Sequence, residues 1–433
     1  MASSMTICLP FEILTAIFEE VDDVQDLHHV RIASRTLCAA ATTIAFRVLS
    51  VTNTAGSVQN IGRLFDVPDI AAHIKEVAYC YTFPDGLNSQ ELRRGESSSP
   101  LSHKRSYDLS LYLPWWVTSV RTSAIPELAS LFSRIHQLPQ LETIDLKFSP
   151  VDRYGLELDG DGRFSLQASI LDALAASFSI CAPSKLIALS LHNLRASDHS
   201  PLDSPPFQTV LKSLRCLQLS VLFVRTLNPH TAFTRWSHFW GNVFLCTVLS
   251  PTQHSLTELT LHNNTFLGAS SGLSLSGLRF PHLCALSLRK LVFEPSVGVE
   301  PFILRHTATL ARLELVACRL LDDDDRFPSP SLSPSTPPST TFTRNEEFSL
   351  SHTHWARIWD CFAAELTALV SLDVYEHDND RPYSGTEWLY VRPGLGLSYL
   401  EFYKAPFHAV DAAALQRFRT TVAARSKEIH GEF

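Results

Sequence analysis

The spacing of apolar residues changes along the chain. Up to Phe46 they recur at helical intervals; beyond it, short runs alternate apolar with polar. Pro10 suits the first turn of a helix, where no backbone N–H is needed. Ile13, Leu14, Ile17, Phe18 and Val21 then fall at i, i+1, i+4, i+5 and i+8, which reads as one apolar helix stripe. Asp22-Asp23 ends that helix. A second is predicted from about Val24, with Leu27 and Val30 on one face. A third, rich in alanine, is predicted from about Thr36 to Val48. Together they make a small helical domain over 5–50, with too little apolar surface to fold well alone. Such a unit is expected to dock onto something; the plainer alternative is a helical cap on the domain behind it.

Beyond this unit one phrase recurs, Leu-x-x-Leu-x-Leu or a near variant. It stands at Leu141-x-x-Ile144-x-Leu146, Leu186-x-x-Leu189-x-Leu191, Leu214-x-x-Leu217-x-Leu219 and Leu256-x-x-Leu259-x-Leu261. It continues at Leu283-x-x-Leu286-x-Leu288, Leu310-x-x-Leu313-x-Leu315, Leu369-x-x-Leu372-x-Val374 and Leu397-x-x-Leu400-x-Phe402, with Ile74-x-x-Val77-x-Tyr79 as a plausible first copy. Alternation inside each phrase predicts a strand. Helix-like stretches lie between phrases, over 125–136, 166–178, 302–309 and 355–369. Several steps fall near the upper end of the ~20–29-residue leucine-rich-repeat period. The copies resemble irregular leucine-rich repeats. The ninth-position asparagine of such repeats fits only at Asn264, while Leu194, Leu291 and Cys318 stand there elsewhere. The expected fold class is α/β: an irregular leucine-rich-repeat-like solenoid over 65–425, parallel strands inside and helices outside, each unit burying its leucines against its neighbours.

Composition agrees with a folded chain: 433 residues, 45% hydrophobic and 18% charged. Two polar segments look inserted, near 83–110 and 322–348. The second runs from four consecutive aspartates into Pro328, Pro330, Pro334, Pro337 and Pro338 among serines and threonines. Its Ser-Pro and Thr-Pro steps are candidate phosphorylation sites, though a plain loop explains them. The net charge is −8 and the basic residues are scattered, so the footprint of a nucleic-acid binder is missing. No apolar run is long enough to predict a membrane span, and no signal peptide is read at the start. Nine dispersed cysteines, in segments that look buried, suit a reducing compartment better than a disulfide framework.

The order of residues in the helical domain is more specific than its periodicity. Leu9-Pro10-x-Glu12-Ile13-Leu14, then Ile17, Asp26-Leu27, Arg31, Ser34-Arg35 and the aromatic Phe46, resembles the F-box. Ala33 replaces the usual valine before Ser-Arg, and Leu37 and Phe46 stand where tryptophans are common. The resemblance implies an adaptor of an SCF (cullin-RING) ubiquitin ligase. Leu9, Pro10, Ile13, Ile17 and Leu27 would contact a Skp-type linker, with Ser34 and Arg35 near that interface. It implies a chain that catalyses nothing itself, works in the cytoplasm and/or nucleus, and binds a target protein through its repeats. A non-ligase repeat scaffold is the alternative.

Candidate chemistry changes little. No phosphate-binding glycine loop, zinc ladder or cofactor motif appears, so no cofactor or metal is expected. His352-x-His354 reads as a surface or capping pair. Gly268-Ala269-Ser270-Ser271-Gly272 fits the hydrolase G-x-S-x-G pattern, but that motif needs a strand straight in and a helix straight out. The strand phrase ends near Leu261, and no helix start follows. Recognition is therefore expected on the residues between the leucines, which point to the concave face. The candidates are His192, His262, Arg289, Arg312, Tyr375, Tyr399 and Tyr403, with Asp145, Lys147, Ser190, Gln218, Glu258, Thr260, Glu314, Asp373 and Glu401 on the same face.

Overall fold

The computed structural model describes residues 9–21, 23–82, 125–148, 165–196, 200–223, 229–268, 271–321, 354–375, 389–393, 400–404 and 408–431. The segments read as insertions near 83–110 and 322–348 lie outside the described residues, as do Ser270, His352 and Tyr399. The chain forms two compact units, Met1–Leu256 and Thr257–Phe433.

In the first unit, α1 (Phe11–Glu19), α2 (Val24–Ala33) and α3 (Arg35–Ala45) follow one another. Side chains set two of the starts. Asp23 accepts from the Gln25 N–H at 2.8 Å, and Ser34 accepts from the Leu37 N–H at 3.2 Å, each satisfying a donor the helix leaves free. Leu14, Phe18, Leu27, Ala40, Ala41 and Ala45 form a shared core, flanked by Val21, Val30, Leu37, Ile44 and Phe46. The alanines of α3 let the other helices approach closely. The third helix stops at Ala45 and does not reach Val48. The Arg47 carbonyl instead accepts from the N–H groups of Lys75 and Glu76 at 2.9 and 3.0 Å, which draws the chain into a strand.

That strand, β1 (Val48–Thr52), opens a parallel sheet with β2 (Glu76–Cys80), β3 (Thr143–Lys147), β4 (Ala188–Arg195) and β5 (Cys216–Leu222) in chain order. Between successive strands lie the helices Ala55–Phe65, Ile125–Phe132, Ser165–Ile180 and Pro205–Ser213, the crossovers that parallel pairing requires. Register aligns the phrases: Val77, Ile144, Leu189 and Leu217 form one buried row, and Tyr79, Leu146, Leu191 and Leu219 the next. The strand β1 was not anticipated, because it carries no leucine phrase. After β5, helix Pro229–His238 runs into a π-helical stretch, Phe239–Leu249. There Trp236, Phe239, Trp240 and Phe244 meet largely edge to face and form an aromatic core.

The strands of the second unit are β6 (Glu258–Asn263), β7 (Ala285–Arg289), β8 (Val292–Phe293), β9 (Arg312–Val316), β10 (Arg319–Leu321), β11 (Ser371–Tyr375), β12 (Leu389–Pro393) and β13 (Leu400–Lys404). Parallel pairing joins β6, β7, β9 and β11. A separate sheet has the order β13-β12-β10-β8. The hinge between the sheets is one left-handed residue, Lys290 (φ 58°) after β7 and Ala317 (φ 51°) after β9. Asn193 (φ 58°) occupies the equivalent place in the phrase opened by Leu186. This turn aims the next residue inward, so Leu194, Leu291 and Cys318 are buried where repeat asparagines were sought. Asn264 is exposed.

One phrase is corrected. Leu397-x-x-Leu400-x-Phe402 is not a further parallel strand: β13 pairs antiparallel with β12, Val391 opposite Phe402 and Tyr390 opposite Tyr403. Only residues 394–399 separate these strands, and a parallel return needs a crossover of about a dozen residues. The cysteines are also corrected. The described cysteines are free thiols, but only Cys318 is buried. Cys216 opens β5, where period-two alternation turns it away from the buried Leu217 and Leu219, and Cys284, just before β7, is also only half-buried.

Helices Trp355–Glu365 and His408–His430 pack together at the end of this unit, Trp359 stacking on Phe418 at 6.1 Å. Arg425 donates to the carbonyls of Ala363 and Leu366 at 2.8 and 2.7 Å, satisfying the C-terminus of the first helix. Among the described residues no helix is long and apolar enough to cross a membrane. The fold is thus α/β, its strands mostly parallel with helices around them.

Candidate functional site

The apolar positions of α1 divide between two faces. Leu14 and Phe18, four residues apart, enter the helical core. Ile13 and Ile17, also four apart, stay 48% and 47% exposed, and Leu9 is 43% exposed in the chain leading to them. Spacing of four places each pair on one side of the helix. Pro10 lies beside Leu9, also exposed, and its carbonyl accepts from the Leu14 N–H at 3.1 Å. Ile13 and Ile17 therefore share one exposed side of α1, and Leu9 and Pro10 are exposed in the chain that leads into it. Ser34 and Arg35 are exposed at the start of α3. Leu27 is different: at 2% exposure it belongs to the core, and the structure does not bring it to that surface. Arg31 ties α2 to α3, donating from Nε to Thr42 Oγ1 at 2.9 Å while lying 4.6 Å over the Phe46 ring.

On the outward face of the first unit's sheet, Asp145 gathers a lysine and a histidine. Lys147 Nζ is 2.8 Å from its Oδ2, and His192 Nε2 is 3.2 Å from its Oδ1. Burial pushes the Asp145 carboxyl up, but hydrogen bonds and positive charge from His192 and Lys147 outweigh it and hold the group below the ordinary carboxylate value. The hydrogen bond to Asp145 raises Lys147 in turn. The second unit carries a relay across three strands: His262 Nε2 lies 3.2 Å from Ser287 Oγ, which donates to Glu314 Oε2 at 2.6 Å. Arg312 meets Glu258 at 3.3 Å, both largely exposed. Arg289 pairs in register with Val316, and Val316 with Tyr375. These clusters can present mixed charge and hydroxyls to a partner.

The expected tyrosine group is not assembled. Tyr375 is in β11 of the parallel sheet, Tyr403 is in β13 of the other sheet, and Tyr399 lies outside the described residues. The hydrolase pattern also lacks its frame. The strand β6 ends at Asn263, Ser271 is buried with its hydroxyl donating to the Gly268 carbonyl at 2.6 Å, and no helix follows directly.

No protein-family model matches the chain, and no curated protein matches it significantly. What the fold and surfaces define is a class: an α/β protein of parallel strands and helices, preceded by a three-helix unit with an exposed apolar stripe.

Proposed function

We propose that this chain is the substrate-recognition subunit of an SCF (cullin-RING) ubiquitin ligase. An F-box formed by α1–α3 docks on a Skp-type linker, and a leucine-rich-repeat-like body binds a target protein in the cytoplasm and/or nucleus. The single observation that carries this reading is the division of α1. Leu9, Ile13 and Ile17 remain exposed beside a core that Leu14 and Phe18 complete. A folded helix with a second apolar stripe fits the apolar centre of a stable protein interface. These side chains are already about half covered, so completing their burial is worth about 1 kcal/mol each, half of a full transfer. The chain would act by proximity, raising the effective concentration of a target near a charged ubiquitin-conjugating enzyme.

A repeat scaffold with a purely structural helical cap is the second reading. The closed α1–α3 core, with Leu27 inside it, favours that reading. Pull-down of the purified chain with a Skp-type linker separates the two. Binding by the parent, lost in a Leu9→Ala, Pro10→Ala, Ile13→Ala variant, is the outcome expected of the adaptor. No binding by a folded parent overturns it and leaves the scaffold.

A further inference from the structure

The exposed apolar side of α1 has a charged border. Glu12, Ala16 and Glu19 recur at four- and three-residue spacing, which sets them in one row along the helix. All three are exposed, and so is Glu20 at the C-cap, three residues after Ile17. With about 3.6 residues per turn, this row runs beside Ile13 and Ile17, on the side away from the buried Leu14 and Phe18. Asp23 and Asp26, at the start of α2, are exposed as well. The sequence concentrates the charge further. From residue 1 to residue 30 it carries six carboxylates, Glu12, Glu19, Glu20, Asp22, Asp23 and Asp26, and no lysine or arginine. Against a net charge of −8 for the whole chain, this segment holds most of the excess.

We propose that α1 docks a protein whose contact surface is an apolar patch bordered by lysine or arginine. A stable interface joins an apolar centre to a polar rim. Ile13 and Ile17, with Leu9 ahead of them, supply the centre; Glu12, Glu19 and Glu20 supply the rim. Rim charges steer the encounter and reject partners of like charge. A second copy of α1 would bring the same carboxylates face to face. Nucleic acid and anionic lipid are repelled for the same reason. Charge therefore selects a basic-bordered protein surface. The inference deepens the proposed function: it rests on α1 being a docking surface, as the adaptor reading holds, and adds the chemistry of what docks there.

The test is fluorescence anisotropy of the full chain with a labelled amphipathic helical peptide, leucine along one face and lysine along its borders. A counterpart carries glutamate in place of lysine. The expected result is saturable binding of the lysine peptide and at least tenfold weaker binding of the glutamate one. Glu12→Gln, Glu19→Gln, Glu20→Gln weakens the lysine peptide at least tenfold, and Ile13→Ser, Ile17→Ser does the same. Raising salt from about 0.1 M to about 1 M, which shortens the Debye length from ~10 Å to ~3 Å, also weakens it in the parent, with no variant needed. No binding of the lysine peptide, equal binding of both peptides, or binding left undiminished by the glutamine variant, the serine variant or high salt overturns the proposal. A Skp-type linker assayed on the same samples keeps the two readings apart. Peptide binding as expected with no linker binding removes the adaptor reading alone. Linker binding beside a peptide that ignores charge removes this inference alone.

Discussion

Tyr390 donates its hydroxyl proton to Asp411 Oδ2 at 2.6 Å, and both residues are buried. Asp411 Oδ1 accepts from the Ala356 N–H at 2.8 Å, and the Trp355 N–H donates to the Tyr390 oxygen at 3.2 Å. A carboxylate from the last helix thus caps the first turn of helix Trp355–Glu365 from across the unit. The N-cap residue, His354, makes no side-chain capping bond to this helix. A negative group near a helix N-terminus is also favoured by the helix dipole. Asp411→Ala strands two buried donors, at about 1–3 kcal/mol each. We expect a loss of about 2–6 kcal/mol, with Asp411→Asn costing less because it keeps an acceptor. Urea unfolding followed through the stacked Trp355 and Trp359 measures it.

The two faces of α1 predict opposite mutational behaviour. Leu14→Ala and Phe18→Ala remove core atoms and should each cost about 2–5 kcal/mol. Ile13→Ser and Ile17→Ser touch exposed positions and should change stability by less than about 0.5 kcal/mol. In the adaptor reading these latter variants alone abolish linker binding while the chain stays folded. Melting temperature and pull-down on the same samples separate the effects.

His306 makes the second unit sensitive to acid. Its Nδ1 lies 2.8 Å from the Phe302 carbonyl, while its Nε2 accepts from the Phe280 N–H at 3.0 Å. That geometry admits only a neutral ring. Burial lowers its pKa below the ordinary 6.5, and the charges of Arg305 and Arg279 lower it further. A group titrating lower when folded contributes stability that is complete above its unfolded pKa. That contribution is lost as pH falls through the folded value. Urea midpoints should therefore fall between about pH 7 and pH 5. His306→Phe should start about 1–3 kcal/mol lower, its Phe280 N–H unpaired, and fall less steeply. An unchanged slope in that variant refutes the assignment.

The left-handed hinge at Lys290 limits what can stand there. A β-branched residue is strained at φ 58°, so Lys290→Val should cost about 1–3 kcal/mol. Lys290→Gly should be neutral or stabilising, since glycine adopts that conformation freely. Lys290 also donates to the Asn264 carbonyl at 3.1 Å, an exposed bond that adds little. Denaturant midpoints of the two variants compare them directly.

Much of the fold could be read locally. The alternating phrases from Ile74 to Val374 mark strands because a half-buried strand must alternate. The intervening stretches mark helices because parallel strands need crossovers. The helical start of the chain was also legible, but the single apolar stripe read over Ile13, Leu14, Ile17 and Phe18 is split between two faces in the structure. Cys216 was not legible, because leucine-rich surroundings look buried until the pleat assigns each residue a side.

What the sequence alone determined is this local layer: which segments are strand or helix, and which residues alternate, because period is a property of neighbouring residues. Which of two adjacent apolar residues faces the core was decided only in three dimensions. Leu14 and Phe18 turn inward and Ile13 and Ile17 outward because α3 approaches one side of α1. Leu27 is core because its neighbours are α1 and α3. β13 leaves the parallel sheet because a short connection can only return antiparallel. Asp411 caps a helix far behind it in the chain, and Leu372 stays half-open because no further strand among the described residues pairs with β11. These are contacts between segments distant in sequence, and no local pattern encodes them.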